Sequence, residues 1–262
     1  MRVDRAREAA LEALAACRRN GAWVDGALKQ VLRQSALSGR DAAFASRIAY
    51  GVMQNRIYLD RHISRCLTQR IEKLEPLLLD ILRIGAYQLL LMYKVPVNAA
   101  VNEAVEMAKA HRLARAAGLV NAVLRNIDRR RGEPLIFSDP LEGLSVQTSH
   151  PRALVERMTA LLGKEEAERF LRANNEPIPT VIQTNTLKVD AATLRASLEG
   201  EGVRVTPHLW LADCFEISGT GSLESLRAWR EGWFMVQDAA AKLSTLAAAP
   251  KAGDFVIDAC AA

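Results

Sequence analysis

Pro96-Val97-Asn98-Ala99-Ala100-Val101-Asn102-Glu103-Ala104-Val105 and then Gly118-Leu119-Val120-Asn121-Ala122-Val123-Leu124-Arg125 decide how the first half of this chain is read. Their apolar residues recur at helical, not strand, spacing. The pattern predicts helices over Ala99–Ala110 and from Arg115 to about Arg130. Each helix carries an asparagine inside its apolar run, Asn102 and Asn121. A buried asparagine costs free energy unless its amide is hydrogen-bonded. Both are therefore expected to be largely buried and paired within a bundle, fixing helix register, in preference to facing a ligand. Gly118 is expected to let a neighbouring helix approach closely.

Working back from this pair, the same period repeats to the N-terminus. Ala6, Ala9, Ala10, Ala13, Leu14 and Cys17 form one amphipathic stripe, ended by Asn20-Gly21. A second helix is expected over about Asp25–Gln34. Ser38-Gly39-Arg40-Asp41 has the form of a capping box opening a third helix through Phe44, Ile48 and Val52. A fourth continues through Leu59, Ile63 and Leu67. Glu75-Pro76 opens a strongly apolar fifth, the expected centre of the bundle, which Val95-Pro96 ends.

Working forward, Arg129-Arg130-Arg131-Gly132-Glu133-Pro134 breaks the helix, and residues 132–145 read as a linker. A helix carries Leu154, Val155, Met158, Leu161 and Leu162, and another spans Glu165 to Ala173. The period then changes. Strands are expected at Thr180–Asn185, Val203–Val205, Cys214–Ile217 and Trp233–Gln237, with helices over Ala191–Leu198 and Leu223–Trp229 between them. Ser222 and Asp238 read as helix caps. Gly219-Thr220-Gly221-Ser222 lacks the Gly-Lys-Ser/Thr of a phosphate loop and reads as a turn. Phe255-Val256-Ile257-Asp258 reads as a buried strand with its carboxyl end at a ligand crevice. The fold class expected is an all-α helical bundle, a small α/β region, and then the first strand of an incomplete Rossmann-like domain.

Composition narrows the possibilities. Half of the 262 residues are apolar and a quarter are charged, enough for a sizeable core. The net charge of +5 permits a polyanionic partner without establishing one. The four cysteines form no CxxC pair, so no metal site is expected, and a reducing cytoplasmic setting fits. No run is apolar enough to span a membrane, and none is expected to associate with one. The N-terminus has no apolar signal-peptide core. His150, beside Pro151 and with no acid or nucleophile near it in sequence, reads as structural.

The motifs also carry a resemblance. The two asparagine stretches, with Arg40-Asp41-Ala42-Ala43-Phe44, Tyr50-Gly51-Val52 and Leu82-Arg83-Ile84-Gly85-Ala86-Tyr87-Gln88-Leu89, resemble the NusB-type helical domain over about residues 4–130. Ser149-His150-Pro151, Ala173-Asn174-Asn175-Glu176-Pro177, Asn185-Thr186-Leu187-Lys188 and Gly232-Trp233 with Val236-Gln237-Asp238 resemble the connecting domain of the bacterial 16S rRNA cytosine-5 methyltransferase family, known as RsmB, Sun or Fmu. Asp258-Ala259-Cys260-Ala261-Ala262 resembles the first half of that family's S-adenosylmethionine motif. Gln54 and Gln183 stand where the family often carries arginine.

The resemblance implies domains at 1–131 (NusB-like, RNA-binding), 146–235 (connecting) and 236–262 (start of the methyltransferase domain). It implies 16S ribosomal RNA as partner, bound by a monomer. Arg5, Arg7, Arg129, Arg130 and Arg131 are the candidate phosphate contacts. The run at 129–131 reads equally well as a solvated helix end set against the negative pole of the helix dipole. Cys260, Ala261 and Ala262 are the candidate cofactor residues. Family chemistry needs a thiolate that adds to C6 of cytosine, so that C5 attacks the methyl sulfonium. No cysteine here matches the family's catalytic motifs, so no catalytic residue is assigned. The chain alone is expected neither to bind S-adenosylmethionine nor to methylate RNA. The alternatives are a NusB-like RNA- or protein-binding module without enzymatic activity, as in transcription antitermination, and a nonfunctional product.

Overall fold

The structure, a computed structural model, describes residues 3–259. It contains two compact units, Met1–Glu176 and Pro177–Ala262.

The first unit is helical. Helix α1, Arg5–Asn20, begins where the Asp4 carboxylate accepts the Arg7 N–H at 3.0 Å, and ends at Gly21, whose φ of 61° is the left-handed form glycine tolerates. Then come α2 (Val24–Gln34), α3 (Gly39–Gln54), α4 (Arg56–Ser64), α5 (Pro76–Leu91), α6 (Val97–Ala110) and α7 (Ala117–Arg129). Ser38 stands before α3 but makes no side-chain cap hydrogen bond, so the expected capping box does not form. Residues 38–41 are exposed, and water can satisfy those N–H groups instead. Helix α5 is the centre, as its apolar run predicts. Pro76 lies in its first turn, Glu75 caps Leu78 N–H at 2.9 Å, and Ile81, Leu82, Ile84 and Leu89 are fully or nearly fully buried. Helices α1, α3, α4, α6 and α7 all pack on it.

Two glycines make this packing possible. A Cβ on Gly51 would stand 1.9 Å from Tyr87 Cζ, and one on Gly85 would stand 2.6 Å from Leu124 Cδ1. Gly118 differs from expectation: nothing lies within 4 Å of where its Cβ would be, and it is exposed. It faces outward and admits no neighbouring helix.

The unit does not stop at residue 131. The stretch read as linker holds α8, Pro140–Thr148, and α9 (Arg152–Leu162) and α10 (Lys164–Ala173) follow. Leu144, Val155 and Leu171 form a small core of their own. Polar contacts then fasten this trio to the bundle. Ser149, at φ 56°, turns its hydroxyl to accept the Ile57 N–H at 3.1 Å, capping the first turn of α4 from a distant part of the chain. Gln54 Nε2 donates to the Asn175 carbonyl at 3.0 Å. The compact unit therefore ends between Glu176 and Pro177, not at a linker at 132–145.

In the second unit β1 (Thr180–Thr184), α11 (Ala191–Gly200), β2 (Arg204–Pro207), β3 (Cys214–Ser218), α12 (Arg227–Arg230) and β4 (Phe234–Val236) follow a β-α-β-β-α-β order. The sheet order is β2-β3-β1-β4, every neighbour antiparallel. Ile182, Phe215, Ile217 and Phe234 bury one face under Leu194, Leu198 and Ala228 of the helices. The helix expected over Leu223–Trp229 is interrupted, because Leu226 adopts an extended conformation to reach this core at 4% exposure. Only a short 3₁₀ turn and α12 remain, and Ser222 makes no side-chain cap bond. Asp238 does cap α13, Ala239–Ala248, accepting the Ala240 N–H at 2.7 Å. The strand expected at Phe255–Ile257 is not formed. Among the described residues it has no ladder partner, and Phe255 is 90% exposed. Without a neighbouring strand to take its N–H and C=O groups, the backbone stays with solvent.

Candidate nucleic-acid interface

Helix α3 begins on the surface and α5 ends beside it. Between them lies a cleft of about 440 Å³ whose floor is Phe44, Met92 and Val95 and whose rim carries Arg40, Arg47 and Lys94. Among the described residues no acidic side chain lines it. Among the described residues none of the three cations has a side-chain hydrogen bond or ion pair. Tyr93 stands at the mouth with 84% of its surface exposed, and the Arg131 guanidinium lies 5.5 Å from its ring centroid. Uncommitted cations around an exposed aromatic ring and an apolar floor can take a phosphate and the face of a base together. Arg131 also lies close enough to Tyr58 to oppose the upward shift that burial imposes on that phenol.

The structure sorts the arginines read from the sequence. Arg7 is a correction. It is 8% exposed, its Nε donates to Gln88 Oε1 at 2.8 Å, and its guanidinium lies 5.0 Å from the Phe44 ring centroid. It supports the cleft from behind, and burial between Gln88, Asp4 and Phe44 removes it from any phosphate. Arg5 donates to the Ser35 carbonyl and lines a different hollow, beside Glu8 and Glu12. Arg129 is held by Asn126, and Arg130 by the Arg65 carbonyl at 3.2 Å and by Glu133. Of the run, Arg131 alone stands at the cleft. Arg40 and Arg47 were not picked out from the sequence. The signal was there: they sit seven residues apart, hence on one side of α3, and both are exposed.

The asparagines overturn the reading made for them. Asn102 and Asn121 are both exposed, as is Asn98, and no side-chain partner holds any of the three among the described residues. The inward stripe of α6 is Ala100, Val101, Ala104, Met107 and Ala108, and that of α7 is Val120, Val123, Leu124 and Ile127. The asparagines fall beside these stripes. Free amides on the surface of two packed helices are available to a ligand, and buried register-setting amides are not.

His150, just after α8, is buried. It is 7% exposed, its carbonyl accepts the Ser145 hydroxyl at 2.6 Å, and its Nε2 lies 2.9 Å from Asn174 Nδ2. Burial pushes the thiols of Cys17, Cys66 and Cys214 up, the wrong direction for a nucleophile at neutral pH. Cys214 does have a basic neighbour that sequence distance concealed: Lys242 of α13, paired with Asp213, opposes the shift. The candidate cofactor residues Cys260, Ala261 and Ala262 lie outside the described residues. Those before them, Gly253 to Ala259, are exposed and pair with no strand among the described residues. No described helix is long and apolar enough to cross a membrane. Among the described residues no three His, Cys, Asp or Glu side chains form a group able to hold a metal ion.

Comparison with known proteins agrees with this architecture. The NusB family profile matches residues 4–129, and that of the RsmF/B-like methyltransferase ferredoxin-like domain matches residues 150–224. The "Probable ribosomal RNA small subunit methyltransferase B" of Bacillus subtilis (strain 168) is 32% identical over 264 residues, covering 100% of this chain and 58% of that protein. The "Ribosomal RNA small subunit methyltransferase B" of Vibrio cholerae is 31% identical over 237 residues, covering 87% of this chain and 52% of its own length. The chain thus spans little more than half the length of these relatives. Among solved structures, the crystal structure of PH0851 superimposes with a TM-score of 0.69 over 97% of this chain and 57% of that one, at 20% identity, a likeness of fold. The helical bundle and the β-α-β-β-α-β sheet are accordingly a NusB domain followed by an RsmF/B-type ferredoxin-like domain, in a chain homologous to the ribosomal RNA small subunit methyltransferases B.

Proposed function

We propose that this chain is the RNA-recognition part of a 16S rRNA cytosine-5 methyltransferase. In the complete protein a methyl group passes from S-adenosylmethionine to C5 of a cytosine. Residues 1–131 are the RNA-binding domain in this reading, and residues 236–262 lead into the domain that holds the cofactor. The observation that carries it is the cleft of Arg40, Arg47, Lys94 and Tyr93, with Arg131 against the ring. Among the described residues its cations are uncommitted and no carboxylate lines it, and its aromatic ring faces solvent. The exposed asparagines of α6 and α7 favour recognition at the surface of the same unit. The resemblance of Asp258-Ala259-Cys260-Ala261-Ala262 to the cofactor motif supports the assignment to a cytosine-5 enzyme.

The test is binding of 16S rRNA fragments to this chain, followed by anisotropy across a salt series. Each phosphate contact contributes about 0.9 to the slope of log affinity against log salt for a duplex and about 0.7 for a single strand. Reversing Arg40, Arg47 and Lys94 to glutamate together should lower the slope by about 2 to 3 and abolish binding at moderate salt. Affinity independent of salt, or unchanged in the triple variant, would refute the proposed interface. Labelled cofactor, added to the chain and to the complete protein with unmethylated 16S rRNA, separates recognition from methyl transfer.

A further inference from the structure

Helix α3 has a second cleft at its other end. This hollow, of about 480 Å³, is walled by Trp23, Val52 and Met53 and carries Arg18, Arg56 and Arg83 with Asp80. Arg83 is committed to Asp60 and Asp80, and Arg18 Nε to Asp80 at 3.0 Å. Arg56 is exposed and has no side-chain partner among the described residues. Trp23 follows the left-handed turn at Gly21 and precedes α2, where it is 87% exposed. An indole this large and this exposed, beside an uncommitted guanidinium and a hollow, can stack a base and hold its phosphate.

The two clefts are joined by a diagonal row on α3. Arg40, Ala43, Arg47, Tyr50 and Met53 recur at helical spacing and all are exposed; the first three line the Tyr93 cleft and Met53 lines the Trp23 cleft. Arg40 to Met53 is a rise of about 20 Å at about 1.5 Å per residue. A strand stacked at about 3.4 Å per nucleotide covers that in about six. The charge along the face is not uniform. Tyr50 donates its hydroxyl to Asp25, and burial, reinforced by that carboxylate, pushes the phenol up to about 12; Asp41 is exposed at the N-terminal end. Positive charge is concentrated at the two ends; between them stands the Tyr50 ring, with the Asp25 carboxylate at its hydroxyl edge.

We propose that α3 is a track for single-stranded RNA: one nucleotide docks in the Tyr93 cleft, the strand follows the outer face of the helix, and a second base stacks on Trp23 with its phosphate at Arg56. The inference rests on the RNA-recognition reading and adds to it a strand type, a direction along one helix and a second anchoring site. Double-helical RNA is excluded as the ligand of this track, because both anchors take the faces of unstacked bases.

The experiment measures binding of a single-stranded trinucleotide, a single-stranded octanucleotide beginning with the same sequence, and the octamer's duplex, to the whole chain. The variants are Trp23→Ala, Trp23→Phe and Arg56→Gln. Trp23→Ala should weaken the octamer at least about fivefold and leave the trimer unchanged, while Trp23→Phe retains octamer binding. Arg56→Gln should lower the octamer's salt slope by about 0.7. Trp23 is too exposed for its loss to unfold the chain. Equal trimer and octamer affinity, an octamer insensitive to Trp23→Ala, or tighter binding of the duplex overturns the track. If the octamer ignores Trp23→Ala yet is lost in the Arg40, Arg47 and Lys94 variant, the RNA-recognition reading stands without the track. If neither variant matters, both fall.

Discussion

Replacing Gly51 by alanine should destabilise the bundle, although the same change at Gly118 should not. The new Cβ at Gly51 would lie 1.9 Å from Tyr87 Cζ, 2.2 Å from its Oη and 2.4 Å from its Cε2. Carbon atoms approach comfortably at about 3.5–4.0 Å, so the ring must retreat by more than about 1 Å. Tyr87 is 7% exposed and packed against the α5 core, which leaves it little room to move. Overpacking of this kind costs about 1–3 kcal/mol, and so large an overlap belongs at the upper end. Alanine's better helix propensity returns about 1 kcal/mol. The net effect is a loss of about 2 kcal/mol, or a fall in Tm of about 4–8 °C for a unit of this size. Gly118→Ala meets nothing within 4 Å and keeps only the propensity gain, up to about 1 kcal/mol. Urea and thermal unfolding followed by helical circular dichroism would measure both. If Gly51→Ala is as stable as the parent, Tyr87 does not pack against α3 as described, and the reasoning fails.

Three further substitutions test the polar framework. Arg83→Met removes the partner that holds Asp60 at 2.7 Å and Asp80 at 3.1 Å. Because the Asp80 side chain is only 5% exposed, the loss should reach about 3–5 kcal/mol in urea unfolding, and a loss under about 1 kcal/mol would show that Arg18 and water suffice. Burial would lower the Arg83 pKa, but the hydrogen bonds and charges of the two aspartates hold it above its ordinary value, so this contribution should not vary between neutral and mildly alkaline pH. Ser149→Ala should cost about 1 kcal/mol by uncapping α4, with faster amide exchange at Ile57 as its local signature; unchanged exchange would mean that the cap is not made in solution. Burial, aided by Arg65, lowers the pKa of His62 below its usual 6.5. The unfolded chain then binds the proton more readily, so stability should decline as pH falls from about 6.5 towards the folded value. His62→Phe should flatten that decline, and equal pH dependence in the two proteins would refute the assignment.

What could be read from the sequence was periodic and local. The helices of the bundle and the change to strand alternation after residue 177 follow from side-chain spacing, and α5 stands out because its run is apolar nearly all round. The facing of the asparagines was misread because alanine does not mark a face. Ala110, Ala114 and Ala122 are exposed, yet by type they blend with the buried stripes and make Asn102 and Asn121 look enclosed. Counting outward from Val101 or Val123 places each asparagine beside the stripe. Gly118 was given the role that Gly51 and Gly85 perform, since a glycine's neighbours across helices are set by tertiary packing. The bonds that close the fold join residues far apart: Arg7 to Gln88, Gln54 to Asn175, Ser149 to Ile57. No local pattern announces such partners. The same holds for the cleft, which forms only when the start of α3 meets the end of α5.

The hydroxyl of Ser149 has a consequence for the order in which the polypeptide can be completed. As the chain leaves the ribosome, α4 emerges long before the residue that caps it, and synthesis proceeds at about 5–20 residues per second. For several seconds the Ile57 N–H has only water, and Gln54 lacks its Asn175 carbonyl. A nascent bundle ending near residue 131 is therefore an unfinished object, with the start of α4 prone to open. Closure waits until the segment through Asn175 has emerged and docked. Slow codons between residues 131 and 176 would prolong this exposed interval, and a chaperone that shields newly made helices would act there.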